Sequence, residues 1–362
     1  MVLIPNSNIV VDNFKYSTEP GPVRYVYFLT HMHSDHYQGL TNDWDQGLIY
    51  CSPVTKSLLL RQFPRLTCVI ALEINTVHWV SLNEDHSEGA NVCFMDANHC
   101  PGAVMILFRG KMGTILHTGD FRYCREMAES EILKDTRGER LEIDILYLDN
   151  TYCSKSHAFP TQSAVLTQLI TLLEAHPGTE IEVAAEILGK EEVLYTLARH
   201  FSTVIQVSEE KYRQLELVGA DMDLFTRQEE GTWIRVVEKS ALKHIPAKLK
   251  EGRKVLGLKL SGWKPFAQLC PHLYSLPFSL HSNYSELIQC VEDLHPGNIV
   301  FTVPGSAVGA DAEEFLRKYS YRRPGRKVEG GLVTAVGKRR VPMESQCKVG
   351  KRAKVLGSRI CN

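Results

Sequence analysis

Over the first 150 residues the hydrophobic positions fall in short runs separated by polar turns. Ile9 to Val11, Val23 to Leu29, Leu48 to Cys51, Val92 to Met95, Ala103 to Phe108, Thr114 to His117 and Ile143 to Leu148 are mostly β-branched or aromatic, and Gly, Pro, Asn or Asp bound them. That pattern predicts strands. The period changes after Pro160, where Val165, Leu166, Leu169, Ile170, Leu172 and Leu173 recur at helical spacing until Pro177-Gly178 stops them. A strand over Ile181 to Ala185, a helix carrying Val193, Leu194, Leu197 and Phe201, and a strand over Thr203 to Val207 come next, an alternation that argues for an α/β unit. From about Gln228 to Gly262 the chain is charged and weakly patterned, and this stretch is expected at the surface of that unit. Strands are then expected over Leu273 to Pro277 and Asn298 to Val303, with an amphipathic helix over Ser285 to Leu294 between them. No internal repeat is evident.

The chain has 362 residues, 44% hydrophobic and 9% aromatic, enough core material for one large domain or two coupled ones. A mainly disordered protein and a small disulfide scaffold are excluded. The net charge of -1 hides an asymmetry: beyond Lys318, twelve Lys and Arg face two Glu, so the last segment carries +10 and the rest -11. A basic, disordered tail is expected over 319–362. Its clusters, Lys338-Arg339-Arg340 and Lys348 to Lys354, read either as nuclear import signals with weak DNA attraction or as a solubilising segment only. The ten cysteines include no C-x-x-C pair, no basic leader precedes an apolar stretch, and no run reaches the roughly 18 apolar residues of a membrane span. A soluble protein of a reducing intracellular compartment is expected, without a membrane partner.

The candidate chemistry begins directly after the apolar run VRYVYFLT, with His31-Met32-His33-Ser34-Asp35-His36. In an extended segment His31 and His33 point the same way and can reach one cation, while Asp35 and His36 follow where the chain turns. Two further loops end strand-like runs: Asp96 to Gly102, carrying His99, and Thr118-Gly119-Asp120-Phe121-Arg122. Each alone is an ordinary turn, but three strand-end loops rich in ligand types point to a metal site on a rigid sheet. Cys100 and Cys153 are read as buried small residues and His117 as a packed or solvent-facing histidine rather than a ligand. Lys190, after a glycine at a helix start, suits a terminal phosphate or is a solvated helix lysine; Arg122 touches a nucleic-acid backbone or pairs with a carboxylate.

H-M-H-S-D-H, His99 and T-G-D, in that order, resemble the metallo-β-lactamase superfamily of metal-dependent hydrolases. Val10-Val11-Asp12, D-A-N-H-C-P-G, T-G-D-F-R-Y, Y-L-D-N-T-Y-C around Asp149, Leu188 to Glu191 and Pro277 to Tyr284 narrow the likeness to the DNA-repair group of its β-CASP branch, from Leu3 to about Pro304. The resemblance implies an α/β fold, a metallo-β-lactamase αββα sandwich with an inserted β-CASP α/β domain. It places the first part of the sandwich at 1–155, the insertion at 156–268 and the returning part at 269–318. It further implies that His31, His33 and His99 hold one metal, that Asp35, His36 and His281 face a second, that Asp120 bridges them, and that Asp12 orients the His-rich loop. Asp149 would orient a ligand, making Asp35, Asp120, His281 and Asp149 the expected catalytic set, with Lys190, Arg122 and Thr151 as substrate contacts.

Val303 falls where the DNA-processing group carries valine and the RNA-processing group histidine. Two positions depart from the group: Leu280 replaces an acidic or polar residue, and Glu186-Ile187 replace an aromatic and a hydroxyl residue before the Gly-Lys-Glu motif. The implied cofactor is zinc, one or two ions, with magnesium or manganese as alternatives. Such cations activate water and offset charge at a phosphoryl group. The implied activity is 5′-to-3′ DNA exonuclease in interstrand-crosslink repair, end processing or telomere maintenance in the nucleus, on DNA with a 5′ end and with repair or telomere proteins as partners. An RNA-processing nuclease and a non-catalytic DNA-binding scaffold are the alternatives.

Overall fold

The structure, a computed structural model, describes residues 2–15, 24–83, 85–262, 266–303 and 309–319. The residues from 320 onward, with all the basic clusters, lie outside it, as does Val23, the start of one expected strand. Three sheets carry the fold. In the first, Val2–Leu3, Ile9–Val11, Val26–Phe28, Ile49–Cys51 and Val69–Ala71 lie in chain order, parallel except for the first pair. The second runs in the spatial order Asn298–Phe301, Ile145–Leu148, Gly113–His117, Val104–Gly110, Gly89–Asp96 and Val77–Ser81.

Alternation along these strands builds the layers, because successive side chains face opposite ways. Ile9, Val11 and Phe28 point between the two sheets, where they meet Phe94, Ile106, Phe108 and Tyr147. Val10, Tyr27 and Leu29 point the other way, onto Phe14 and Leu59, the latter in the helix Pro53–Gln62. On the far side of the second sheet, Met95, Met105, Leu107 and Leu116 pack under Leu287, Val291 and Phe315 of the helices Tyr284–Leu294 and Ala310–Tyr319. The result is the four-layer helix-sheet-sheet-helix sandwich.

The third sheet has the order Phe225–Thr226, Ile205–Gln206, Ile234–Val236, Glu180–Ala184, Val255–Leu260, Leu273–Leu276 and Ala267–Cys270, parallel but for the last strand. Gln162–Glu174, Glu191–His200 and Glu209–Leu217 are helices of the same unit. Three expectations are corrected. Val255–Leu260 lies inside the sheet with Val255, Leu256 and Leu258 fully buried, so the stretch from Gln228 to Gly262, much of it exposed as expected as far as Lys254, ends in a core strand. A parallel strand covered on both faces shows no alternation to reveal it. Leu273–Leu276 pairs with Val255–Leu260, so the third sheet extends past the expected boundary at 268/269. Tyr319 ends a helix and is buried against Phe315, ring centroids 5.0 Å apart, rather than opening the tail. Among the described residues no helix is long and apolar enough to cross a membrane.

Candidate metal centre

Loops leaving the strand ends of the two sandwich sheets meet the loop between Leu276 and the helix Tyr284–Leu294. Among the described residues, three groups of side chains bring their donor atoms within 4.8 Å of one another: His31, His33, His99 and Cys100; His31, His36 and Asp120; and His99, Asp120 and His281. Asp120 Oδ2 lies 3.3 Å from His36 Nε2, 3.8 Å from His31 Nε2 and from His99 Nε2, and 4.0 Å from His281 Nε2. Those residues come from chain positions up to 250 apart and are held at one point by separate local devices.

Each imidazole is fixed from behind. His31 Nδ1 meets the Thr30 hydroxyl at 3.0 Å, and that hydroxyl donates to Asp12 Oδ2 at 2.7 Å. His36 Nδ1 meets Asp12 Oδ2 at 2.8 Å, while Asp12 Oδ1 accepts the Thr30 N–H at 2.8 Å. His281 Nδ1 meets Asp149 Oδ2 at 2.7 Å. His99 Nδ1 faces the Leu280 carbonyl at 2.9 Å and His33 Nε2 the Leu188 carbonyl at 3.0 Å. A carbonyl oxygen only accepts, so His99 Nδ1 and His33 Nε2 carry the protons and, in the neutral rings, His99 Nε2 and His33 Nδ1 are left as bare lone pairs. Those two atoms lie 3.0 Å apart. Two lone pairs at that distance repel unless something positive sits among them. His31 Nε2, fully buried and without a hydrogen-bond partner among the described residues, is likewise left as an acceptor. The donor set therefore fits a divalent cation of the kind that imidazole and carboxylate ligands select.

The electrostatics agree. Burial pushes the His31 pKa well below its ordinary value and lowers His99 to about 3, with His36 and His281 respectively adding repulsion. His36 is the opposite case: burial opposes its proton, but Asp12, by charge and hydrogen bond, and then Asp120 raise it to about 11. Burial similarly works against protonation of His281, and Asp149 overcomes it, raising the pKa to about 9. Burial favours a neutral Asp120, yet His36, His31 and His281 hold its pKa well below the carboxylate range.

Other expected site residues lie elsewhere or are already engaged. Asp35 is outside the three groups: its side chain is 67% exposed on the rim, 3.6 Å from His36 Nε2, because the turn after His33 faces it to solvent. Asp149 is not in the three groups but holds one of their members, His281, from behind, and Thr151 donates its hydroxyl to Asp149 Oδ1 at 2.6 Å instead of facing an open surface. Arg122 is buried, donating to the Ser279 and Pro160 carbonyls and to Glu286, so of its two readings the carboxylate pairing holds. His117 is packed, stacked on Tyr147. Lys190 precedes the helix Glu191–His200 and its Nζ donates to the Leu260 carbonyl at 3.2 Å; burial, with Lys239 and Lys211 nearby, lowers its pKa to about 8. Glu186 is tied to the Ser208 hydroxyl, while Ile187 is 62% exposed. Cys100 was not anticipated as part of the cluster. Its adjacency to His99 is the only signal the sequence offers, and burial raises the thiol pKa well above its ordinary value.

A family profile described as DNA repair metallo-beta-lactamase matches residues 221–307. The chain is similar to 5′ exonuclease Apollo of Gallus gallus, 35% identical over 346 residues that cover 92% of this chain and 70% of that protein. It is similar to 5′ exonuclease Apollo of Danio rerio, 37% identical over 278 residues, 76% of this chain and 48% of the relative. The chain spans about half the length of this relative and of its Rattus norvegicus counterpart, 48% and 54%. Among solved structures, a protein of unknown function from Enterococcus faecalis V583 shares the fold, with a TM-score of 0.52 and 17% identity over 77% of this chain and 75% of that one. Kinship that runs through both the sandwich and the inserted unit leaves one conclusion: the chain belongs to the DNA repair metallo-beta-lactamase family.

Proposed function

We propose that the protein is a metal-dependent nuclease that hydrolyses phosphodiester bonds of DNA from a 5′ end, acting in the nucleus in crosslink repair and end processing. The observation that supports this most is the pair of bare nitrogens on His33 and His99, 3.0 Å apart beside the orphaned His31 Nε2, in a chain similar to 5′ exonucleases. In this reading His31, His33 and His99 hold one cation, His36 and His281 contribute to a second, and Asp120 serves both. Asp35 would join the second set from the exposed rim. Zinc suits these donors best. When bound, such cations activate water and offset the charge that builds at phosphorus.

The protein's own groups keep the geometry. Asp12 and Thr30 lock the His31 and His36 rings, Asp149 locks His281, and the two carbonyls lock His33 and His99, so little reorganisation accompanies the reaction. Lys190, at the start of the helix Glu191–His200, whose N-cap makes no side-chain capping bond, binds the terminal phosphate of the substrate in exchange for its contact with the Leu260 carbonyl.

The test is digestion of end-labelled single- and double-stranded DNA and RNA, with and without a 5′ phosphate, by the zinc-loaded protein and after chelation. Chelator-sensitive release of nucleotides from the 5′ end of DNA is expected. Equal or faster cleavage of RNA would assign the protein to RNA processing, and no cleavage by protein that retains its metal would make it a binding scaffold.

A further inference from the structure

Lys211 has no part in the chemistry above, yet it is among the largest fully buried side chains of the molecule. Its ammonium donates to Glu191 Oε1 and to Gln214 Oε1, each at 2.8 Å, and the Lys211 and Glu191 side chains are 0% and 4% exposed. A buried ion pair is a poor source of stability, because removing two charges from water offsets most of their attraction. Its placement suggests another role.

The second oxygen of Glu191, Oε2, accepts the N–H of Gly189 at 2.7 Å. Gly189 has φ +105°, and a Cβ there would lie 2.5 Å from Leu280 Cδ1 and 3.0 Å from Cys100 Cβ, so the turn is wedged between the two loops that carry His281 and His99. One residue earlier, the Leu188 carbonyl faces His33 Nε2 at 3.0 Å. His31 and His36 are held from inside the first sheet by Asp12 and Thr30, whereas the outer nitrogen of His33 is held from the third-sheet unit. We propose that Glu191 is a positioning residue for His33: by accepting the Gly189 N–H it sets the Leu188 carbonyl where it selects the tautomer whose Nδ1 faces His99, while Lys211 balances its buried charge. The role in metal binding rests on reading the cluster as a metal centre; the tautomer selection does not.

Two double variants isolate the link. Glu191→Gln with Lys211→Met removes both charges but keeps an amide oxygen for the Gly189 N–H. Glu191→Met with Lys211→Met removes the charges and the acceptor, in nearly the same volume. Glu191→Leu with Lys211→Met is a second form of that deletion, should the first not fold. Zinc affinity is read by chelator competition, and the tautomer of His33 by ¹⁵N NMR of the metal-free full chain. The Gln variant is expected to match wild type in both. The Met variant is expected to bind zinc about tenfold more weakly, the lower end of the range for groups that support a metal ligand, and to show a mixture of His33 tautomers. Matching tautomer populations in the Gln and Met variants would overturn the proposal, whatever their thermal stability. If the tautomer follows residue 191 while wild-type protein binds no zinc, the metal reading falls and the positioning role stands.

Discussion

Asp12 sits at φ +50°, a left-handed conformation that costs a non-glycine residue energy. In return its two oxygens serve Thr30 and His36 together. Asp120, by contrast, has its work on the cluster side, within 4.0 Å of four imidazoles. Asp120→Ala is therefore expected to lower nuclease activity by more than about a hundredfold, beyond the loss seen for mere supporting groups, while leaving the thermal transition near wild type; a rate close to wild type would show that the cluster is not the reacting centre. Lys190 carries a second expectation. A charge-assisted phosphate contact contributes roughly 1.5–3 kcal/mol, so kcat/KM should favour a 5′-phosphorylated end over a 5′-hydroxyl end by about tenfold, and Lys190→Ala should erase the difference. The lysine is protonated below its depressed pKa of about 8, so the preference should be full at neutral pH and fade as pH rises through that value. At this scale the ligand-type side chains were legible because their spacing is unusual. The Leu188 and Leu280 carbonyls were not, since every residue has a carbonyl, nor was the rim position of Asp35, because proximity in sequence to His36 does not fix which way a turn points.

Among the elements, strands with one buried face or firm turn boundaries were readable, and the capping box of Asn283 and Glu286 marks the start of its helix as the spacing suggests. Ser52-Pro53 gives the same kind of signal for the helix Pro53–Gln62, whose own apolar periodicity is weak. The strand Val255–Leu260 was hidden for a different reason. Its charged flanks dominate the local composition, while the strand itself is covered on both sides, as parallel strands are. That burial has an energetic consequence. Leu258→Ala removes a fully buried side chain from an interior strand of the third sheet and should destabilise the protein by about 2–5 kcal/mol; a urea midpoint unchanged from wild type would contradict that interior position.

On the scale of the whole molecule, the charge asymmetry predicts behaviour that no single contact does. Removing the chain after Tyr319 takes away +10, all of it beyond the described residues, and should weaken DNA association at low salt and flatten its salt dependence, with turnover at saturating DNA retained. Loss of turnover at saturating DNA would show that the segment supports the fold. The sandwich and the α/β unit were legible as a change of period at Pro160, but their seam was not, because Leu273–Leu276 reads as a strand without saying which sheet it joins. That seam governs the order of assembly. Ile145–Leu148 and Asn298–Phe301 are paired neighbours, with Ile145 opposite Asn298, yet the whole third sheet is made between them. Closing a flexible loop of roughly 150 residues costs about 4 kcal/mol in chain entropy, most of it avoided if the intervening unit has already collapsed. Folding should therefore run from the middle outward. In pulse-labelled hydrogen exchange, amides of Ile181, Val183 and Leu256 should gain protection before that of Ile299, and the reverse order would mean that the sandwich closes around a still unfolded insertion. A nascent chain released as far as Asp120 would carry most of the cluster's donors but not His281, so the centre completes itself only when the loop before the helix Tyr284–Leu294 docks onto the sandwich.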